Sequence, residues 1–419
     1  MKDSKKWTKS KIFLVVFNSL LCVAIVVSAM VIIIDKSRTK NGVIYDGKVE
    51  TTASEEKENS ESTKSGKATA RLMCAGDNLI HRSIYKQAKE RSKNGTYDFD
   101  YAYDQIRDII PMSDIAFLNQ EVLIDPGTEP DTYPCFNSPP ELLDEMIGLG
   151  FDVFNQATNH CLDKGVTAAR RDISLFKSKQ NIILTGLYDN EDDMLKPQTT
   201  DVNGITFSFV GFTEYTNGIP IPSDSNLGLL AFSDERYTEE QHYAKAKQMI
   251  DIAKQNSDIV CVSMHWAVED TTTPHDDQKK ILTKLLEYGA DLIIGTGPHV
   301  LQPIEFMQNG DGEQAAVIWS LGNLISCQAK TDNLLGGIAD VMIEKDFATN
   351  KTSVTSCKLI PTITQYNSGY TNVHIVPFCN YNEQLCSENG VSSSNFTMEY
   401  INNFYKNMYG DKLEINYKQ

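Results

Sequence analysis

Residues 12–34 form a run of 23 residues with no charged side chain and a single amide, Asn18. About 20 apolar residues are enough for a helix to cross the hydrocarbon core of a membrane. Five lysines precede the run, offset only by Asp3, so the positive-inside rule predicts a cytoplasmic N-terminus and an outward-facing remainder. The alternative is a cleaved signal peptide, whose apolar region is shorter and ends at a small-x-small site; Ser28 and Ala29 offer only a poor version of that site. The sequence favours an uncleaved signal anchor in the cell membrane.

The net charge changes sign near residue 40, shortly after the predicted membrane span. Residues 1–40 carry eight basic and two acidic side chains, a net +6, whereas the rest of the chain carries 31 basic and 54 acidic, a net −23. Such an acidic body argues against a nucleic-acid partner, because binding phosphates requires clustered basic residues. With 41% hydrophobic residues, the chain is too apolar to be disordered throughout.

These observations divide the chain into four parts. Residues 1–11 are the predicted cytoplasmic tail and 12–34 the membrane span. Residues 35–68 are polar and are predicted to form a disordered linker. Residues 69–419 are the predicted extracellular domain.

Eight cysteines follow the predicted span, and an exported location favours disulfides. Cys74, Cys261 and Cys327 lie in or beside apparent strands, where buried free thiols are more common. Cys379 and Cys386 are close enough in sequence to close a local loop. The sequence assigns no pairing.

Apolar runs alternate with amphipathic helices through the predicted domain. Strands are expected at 70–75, 114–118, 151–154, 182–184, 200–212 (a hairpin), 259–264 and 291–294, with helices at 138–150, 163–179, 237–254 and 276–288 between some of them. Four further β runs follow, at 303–308, 315–320, 337–345 and 353–361. This order predicts a layered α/β domain with C-terminal β hairpins. Ligands of such folds bind beyond the carboxyl ends of the strands.

Polar side chains gather at those strand ends, and we expect them to meet at one edge of a sheet. A single histidine at a strand end is more often structural, but several successive strands that end in such polar residues favour a functional site. Mixed imidazole, carboxylate and amide sets suit Zn, Mn or Fe, and a carboxylate between two cations is typical of two-metal hydrolases. His160 is placed to protonate a leaving group. The full set is Asp77, Glu121, Asn159, His160, His265 and His299.

Six motifs carry these residues, in the order GDNLIH (76–81), FLNQEV (117–122), QATNHCLDKG (156–165), VSMHWAVE (262–269), IGTGPHVLQP (294–303) and WSLGNLI (319–325). The series resembles the capsule-synthesis CapA family. The resemblance implies a calcineurin-like metallophosphoesterase fold, an N-terminal membrane anchor and a part in poly-γ-glutamate capsule formation. It also implies one or two divalent Mn, Zn or Fe ions with His160 as proton donor, and metal ligands at Asp77, Glu121, Asn159, His265 and His299.

The sequence departs from the family pattern at three of these places. Gly297 stands where the family has the first histidine of a His-Pro-His pair, and glycine offers no ligand. Ala267 replaces a glycine and Thr158 an asparagine. The site is therefore expected to bind a single ion, to recruit His81, Glu269 or Thr296, or to be inactive.

The leading hypothesis is a membrane-anchored protein acting in the synthesis, export or attachment of an anionic surface polymer. Its expected partners are the cytoplasmic membrane, other membrane proteins of a capsule polymer synthase, and the polymer or a phosphoester substrate. The alternative is a non-catalytic scaffold of that complex. An acidic body repels a polyanion, so the scaffold needs a local basic groove or bridging cations. Hydrolysis of another cell-envelope substrate is a third hypothesis, because fold does not fix function.

Overall fold

The structure is a computed structural model and describes residues 66–415 and residue 417. The predicted cytoplasmic tail (1–11), the predicted membrane span (12–34) and most of the predicted linker (35–68) lie outside the described residues. The first strand begins at Lys67, so the predicted linker extends two residues too far. Within the part that is described, no helix has both the length and the hydrophobicity to cross a membrane.

The described residues form fourteen strands. In chain order they are β1 (Lys67–Asn78), β2 (Ile115–Asn119), β3 (Val153–Asn155), β4 (Ile183–Thr185), β5 (Thr199–Val202), β6 (Ile205–Thr213), β7 (Ile259–His265), β8 (Leu292–Thr296), β9 (Leu301–Gln308), β10 (Gln314–Leu321), β11 (Asn323–Ile325), β12 (Leu335–Asp346), β13 (Lys351–Asn367) and β14 (Thr371–Pro377). The predicted strands are confirmed, whereas β14 falls beyond the last predicted run.

The helices are amphipathic and lie mainly between parallel strands. They are α1 (Arg82–Arg91), α2 (Asp100–Tyr103), α3 (Glu141–Leu149), α4 (Gly165–Lys177), α5 (Glu239–Asn256), α6 (Asp276–Glu287), α7 (Glu383–Glu388) and α8 (Met398–Tyr409), with short 3₁₀ turns among them. The α3 helix follows Pro140 and ends at Gly150, which adopts a left-handed conformation and closes the last turn. A capping box of Thr238 and Gln241 starts α5.

The strands form two mixed sheets. The sequence predicted instead that the polar residues at the strand ends would meet at the edge of a single sheet. The first runs β14–β13–β12–β1–β2–β3–β4, with β11 beside the end of β1. Its β1–β4 neighbours are parallel and its β12–β14 neighbours antiparallel. The second runs β5–β6–β7–β8–β10–β9, with parallel pairs from β6 to β10 and antiparallel strands at both edges. The layered α/β class with C-terminal β hairpins is confirmed.

The second sheet is buried on both faces, and alternate residues of β7 show why. Cys261 belongs to the core shared with the first sheet, while Val260 and Val262 belong to the core beneath α5 and α6. Across the shared core, the rings of Phe117 and Phe209 lie 6.4 Å apart. Successive strand residues point to opposite faces of the sheet. Because both faces of β7 are buried, its sequence is a continuous apolar run rather than an alternating one. The carboxyl ends of the parallel strands in both sheets are therefore held by packed cores.

All eight cysteines of the described residues are free. Cys379 contacts the Tyr417 hydroxyl (Sγ to Oη, 3.3 Å), and Cys386 lies 3.5 Å from the carbonyl oxygen of Phe396. The local loop considered for Cys379 and Cys386 is therefore wrong.

Native alkylation with iodoacetamide is expected to label the exposed Cys379 first. Burial raises the pKa of Cys161 to about 12, so this thiol should react only after unfolding. Peptide mapping by mass spectrometry measures the order of labelling, and a reducing agent should leave Tm unchanged. A disulfide-linked peptide pair from the native protein would contradict this expectation.

Candidate metal centre

A ladder of side-chain amides crosses the ends of β1, β2 and β3. Asp77, Asn119 and Asn155 are register partners on these adjacent strands. The Asn155 amide donates to Asn119 Oδ1 (2.8 Å), and the Asn119 amide donates to Asp77 Oδ1 (2.8 Å). The ladder fixes the orientation of the buried Asp77 carboxylate. The two asparagines stand at the strand exits, but their role was not predicted from the sequence.

The second sheet supplies an imidazole to the same place. His265 ends β7, and its Nδ1 lies 3.1 Å from Thr296 Oγ1 at the end of β8. Its Nε2 lies 2.9 Å from Asn159 Oδ1 and 3.9 Å from Glu121 Oε1. Burial lowers the pKa of His265 to about 3, so the ring is neutral at pH 7, which is the form that binds metals. The predicted residues thus meet between two sheets rather than along one edge.

Asp77, Glu121 and His299 form the tightest group. Each offers a ligand atom, and these atoms lie within 4.8 Å of one another. His299 Nδ1 is 3.1 Å from both Asp77 Oδ2 and Asn323 Oδ1, and its Nε2 is 3.6 Å from Glu121 Oε1. Although burial alone lowers the pKa of His299, the carboxylates of Glu121 and Asp77 raise it to about 10.

His299 also has a left-handed backbone, with φ of 60°. This conformation costs a non-glycine residue about 1–3 kcal/mol and persists where the surroundings hold it in place. Here the Asn333 amide donates to the His299 carbonyl oxygen (3.2 Å). Strain of this kind clusters at functional sites.

The environment of the Glu121 carboxylate shows whether this group of residues fits a cation. The side chain is buried, yet neither carboxylate oxygen has a hydrogen-bond partner among the described residues. Burial raises the pKa of Glu121 well above its usual value. A buried carboxylate without partners is costly unless it is paired or coordinates a metal. The donor set of carboxylates, imidazoles and the Asn159 amide suits a divalent transition metal ion.

Gly297 contributes its backbone N–H to this arrangement, although it has no side chain to offer as a ligand. Its N–H lies 3.2 Å from both Asp77 carboxylate oxygens, and its φ is +97°. A Cβ atom at this position would lie 2.4 Å from the Trp266 carbonyl oxygen and 3.1 Å from His265 Nε2. The backbone therefore leaves no room for a histidine. Trp266 itself is fully buried, with its indole N–H bonded to Trp319 O.

The three substitutes considered for the missing histidine differ in position. Glu269 Oε1 lies 4.0 Å from His299 Nε2, so this half-exposed carboxylate reaches the group. Thr296 is bonded to His265. His81 Nδ1 accepts the N–H of Cys327 (3.2 Å), which occupies one of its two ring nitrogens.

His160 lies beside Asn159 and is paired with a carboxylate. Its Nδ1 is 2.7 Å from Asp163 Oδ2, which also accepts the N–H of Phe136 (2.7 Å). Asp163 does not cap the next helix, because α4 begins at Gly165 and its N-cap is Lys164. Because Nδ1 is held by Asp163, a transferable proton would be carried at Nε2.

The loop after β6 completes the site, and its residues were not predicted from the sequence. The Asn159 amide donates to Tyr215 Oη (3.3 Å) and to Asn217 Oδ1 (3.2 Å), and the Tyr215 hydroxyl donates to Glu269 (3.3 Å). Thr158, one of the family departures, joins the loops: its hydroxyl donates to Glu121 O (2.7 Å) and accepts the N–H of His160 (3.2 Å).

One solved structure, described as a novel phosphatase from Mycoplasma pneumoniae, is 12% identical and aligns over 70% of this chain and 93% of its own, with a TM-score of 0.42. Two curated relatives are more informative. The chain is 33% identical over 184 residues to the PGA biosynthesis protein CapA of Bacillus subtilis (44% of each chain). It is 28% identical over 265 residues to the capsule biosynthesis protein CapA of Bacillus anthracis (62% of this chain, 60% of the relative).

The chain thus spans about half the length of these relatives. A family profile described as "Bacterial capsule synthesis protein PGA_cap" matches residues 71–328. That match is more than half of the chain and includes all six residues predicted to form the site. The chain therefore belongs to the bacterial capsule synthesis PGA_cap family.

Proposed function

We propose that this protein is a metal-dependent hydrolase of phosphoester type that acts in making, exporting or attaching an anionic surface polymer. The observation that carries the proposal is the buried Glu121 carboxylate: its two oxygens have no hydrogen-bond partner among the described residues, while Asp77 and His299 offer ligand atoms beside it. A scaffold would have no need of such a costly arrangement. The proposal includes a calcineurin-like metallophosphoesterase fold for the two-sheet domain.

Asp77, Glu121, Asn159, His265 and His299 would hold one or two divalent ions, with Glu269 at the edge. A bound ion of this kind supplies a water activated at neutral pH and charge compensation for phosphoryl oxygens. The chain's own residues set the geometry: Asn119 and Gly297 orient Asp77, and Thr296 orients His265. His160 would then give the proton at its Nε2 to the leaving-group oxygen.

The biological setting rests on the family and on the relatives' names. Both Bacillus relatives are named for capsule or PGA biosynthesis, and poly-γ-glutamate is the polymer we propose here. The predicted signal anchor at 12–34 would place the domain outside the cell membrane beside the membrane proteins of the polymer synthase. The scaffold alternative rests on Gly297, which offers no ligand where the family has a histidine; the close packing around Gly297 accounts for the glycine but supplies no replacement ligand.

The proposal is tested on the full-length chain, purified with detergent and loaded with Mn or Zn. Phosphomonoester and phosphodiester substrates should be hydrolysed only with metal present, and His265→Ala should abolish turnover. In a strain that lacks the gene, His265→Ala should fail to restore capsule. Full restoration by that variant, with no hydrolysis by the wild type, would favour the scaffold and overturn the proposal.

Asp163→Asn is expected to lower kcat about 100-fold, because the amide no longer fixes the orientation and tautomer of His160. The loss should be largest for substrates with poor leaving groups, which depend most on a proton donor. Metal content should not change, and His160→Ala combined with Asp163→Asn should be no worse than His160→Ala alone.

The matched control is Asp131→Asn, which removes a carboxylate bonded to Lys164 on a neighbouring loop. Its activity should equal that of the wild type. An equal loss of activity for good and poor leaving groups in Asp163→Asn would contradict the assignment of Asp163 as the residue that positions His160.

A further inference from the structure

We propose that the exposed face of α1 docks the anionic polymer and leads it toward the metal centre; this inference rests on the proposed function. The α1 basic face consists of Arg82, Lys86, Lys89, Arg91 and Lys93, the last just past the helix end. Glu90 is the single acid in residues 82–93, so the segment carries a net +4. The remainder of the chain after residue 40 is strongly acidic.

The charge of this face is not compensated internally. None of the five cations forms an ion pair with a carboxylate of the described residues, whereas nineteen other lysines and arginines do. An acidic protein that leaves one group of cations unpaired concentrates positive potential there. This is the local basic surface that a polyanion requires.

The spacing along the helix aligns the charges. Arg82, Lys86 and Lys89 follow an i, i+4, i+7 pattern and share one exposed side, while the opposite side buries Ile84, Tyr85 and Ala88. Arg82 follows directly on His81, at the end of the helix nearest Asp77. The ring of His81 packs against Phe136 (centroids 5.3 Å apart), and Phe136 packs against His160 (4.7 Å). The row of cations therefore begins beside the residues that surround His160 and extends along the helix for roughly 10 Å, at about 1.5 Å per residue.

A groove of about 510 Å³ runs beside this row, between α1 and the β13–β14 turn. Lys86, Gln87, Glu90 and Arg91 line its helix side, and residues 369–372 line the other. Gln87 binds β14 as a strand would: its amide donates to Val373 O (2.6 Å), and its Oε1 accepts the N–H of Val373 (2.8 Å).

Arg91 fixes the far end of the groove. Its guanidinium lies over the Tyr101 ring at 3.7 Å and donates to Asn372 Oδ1 (3.0 Å). A groove whose walls are already held together needs little ordering when a ligand binds. Charges repeated along a rigid wall match an extended chain of carboxylates better than a single small anion.

Binding of poly-γ-glutamate to the full-length chain tests the inference. Fluorescence anisotropy at 50 and 200 mM salt should show affinity that falls roughly tenfold. The triple variant Arg82→Glu, Lys86→Glu, Lys89→Glu should bind about 30-fold more weakly. Metal content and hydrolysis of a small phosphoester should be unchanged in this variant.

The control is Lys247→Glu, Lys279→Glu, Lys284→Glu, which changes the total charge equally on α5 and α6 and should bind as the wild type does. Equal weakening in both triple variants, undiminished binding by the α1 variant, or no binding by the wild type would overturn the inference. So would a γ-glutamyl dipeptide that competes as well as the polymer at equal carboxylate concentration. Failure of the proposed function is distinct, because it would appear as missing metal or missing hydrolysis in all three proteins.

Discussion

Glu121→Gln should abolish the stabilisation of the protein by metal while leaving the metal-free protein at least as stable as the wild type. In the wild type this buried carboxylate has no hydrogen-bond partner among the residues that the structure describes, and glutamine removes the charge that is costly to bury. At a metal concentration of about 100 Kd, binding stabilises the wild type by about 2.7 kcal/mol. For a domain of this size that raises Tm by roughly 5 °C. Thermal unfolding with and without Zn or Mn measures both effects.

Glu269→Gln is the matched control for this prediction. Glu269 is half-exposed and bonded to the Tyr215 hydroxyl, so its substitution should reduce the metal response only in part. A Glu121→Gln protein that is less stable without metal, yet still gains stability on adding metal, would contradict the role given to Glu121.

Gly297→Ala should destabilise the protein by about 3–5 kcal/mol, because two costs combine there. The left-handed φ of +97° disfavours any side chain, and the new Cβ would lie 2.4 Å from a backbone carbonyl oxygen. Gly297→His, which restores the family residue, should therefore lower stability without raising the metal stoichiometry. Chemical denaturation and metal analysis measure the two outcomes.

Gly95→Ala separates these two costs. Gly95 has a similar φ of +82°, but no atom of the described part of the chain lies within 4 Å of the position of its Cβ, so only the backbone cost of about 1–2 kcal/mol is expected. A Gly297→His protein of normal stability with an additional bound ion would show that the family histidine does fit.

The alternation of strands and helices was predictable because it depends on local hydrophobic patterns. Local hydrophobic periodicity predicts the strand at 259–264, and the capping signals at Pro140 and Gly150 bound the helix between them. The polar residues at the strand ends were found in the same way, where each apolar run stops. The division into two sheets did not follow, because strand pairing joins residues far apart in sequence. For example, β1 pairs with both β2 and β12.

The candidate site was predictable only where a residue's chemistry was distinctive. Asp77, Glu121 and His299 were predicted as site residues because they place carboxylates and an imidazole at strand ends. The pairing of Asp163 with His160 was not predicted, because a capping carboxylate and a histidine partner look alike in sequence. Tyr215 lies 56 residues from its partner Asn159, and no local pattern signals such a contact. The crowding at Gly297 likewise depends on the distant Trp266.

Metal analysis of the full-length chain tests the central claim most directly. After reconstitution with Zn or Mn and removal of free metal, the wild type should retain one or two ions per chain. Asp77→Ala and Glu121→Gln should lose them, while Glu269→Gln should retain at least one. A wild-type protein that retains no metal, or ligand variants that retain as much as the wild type, would contradict the account.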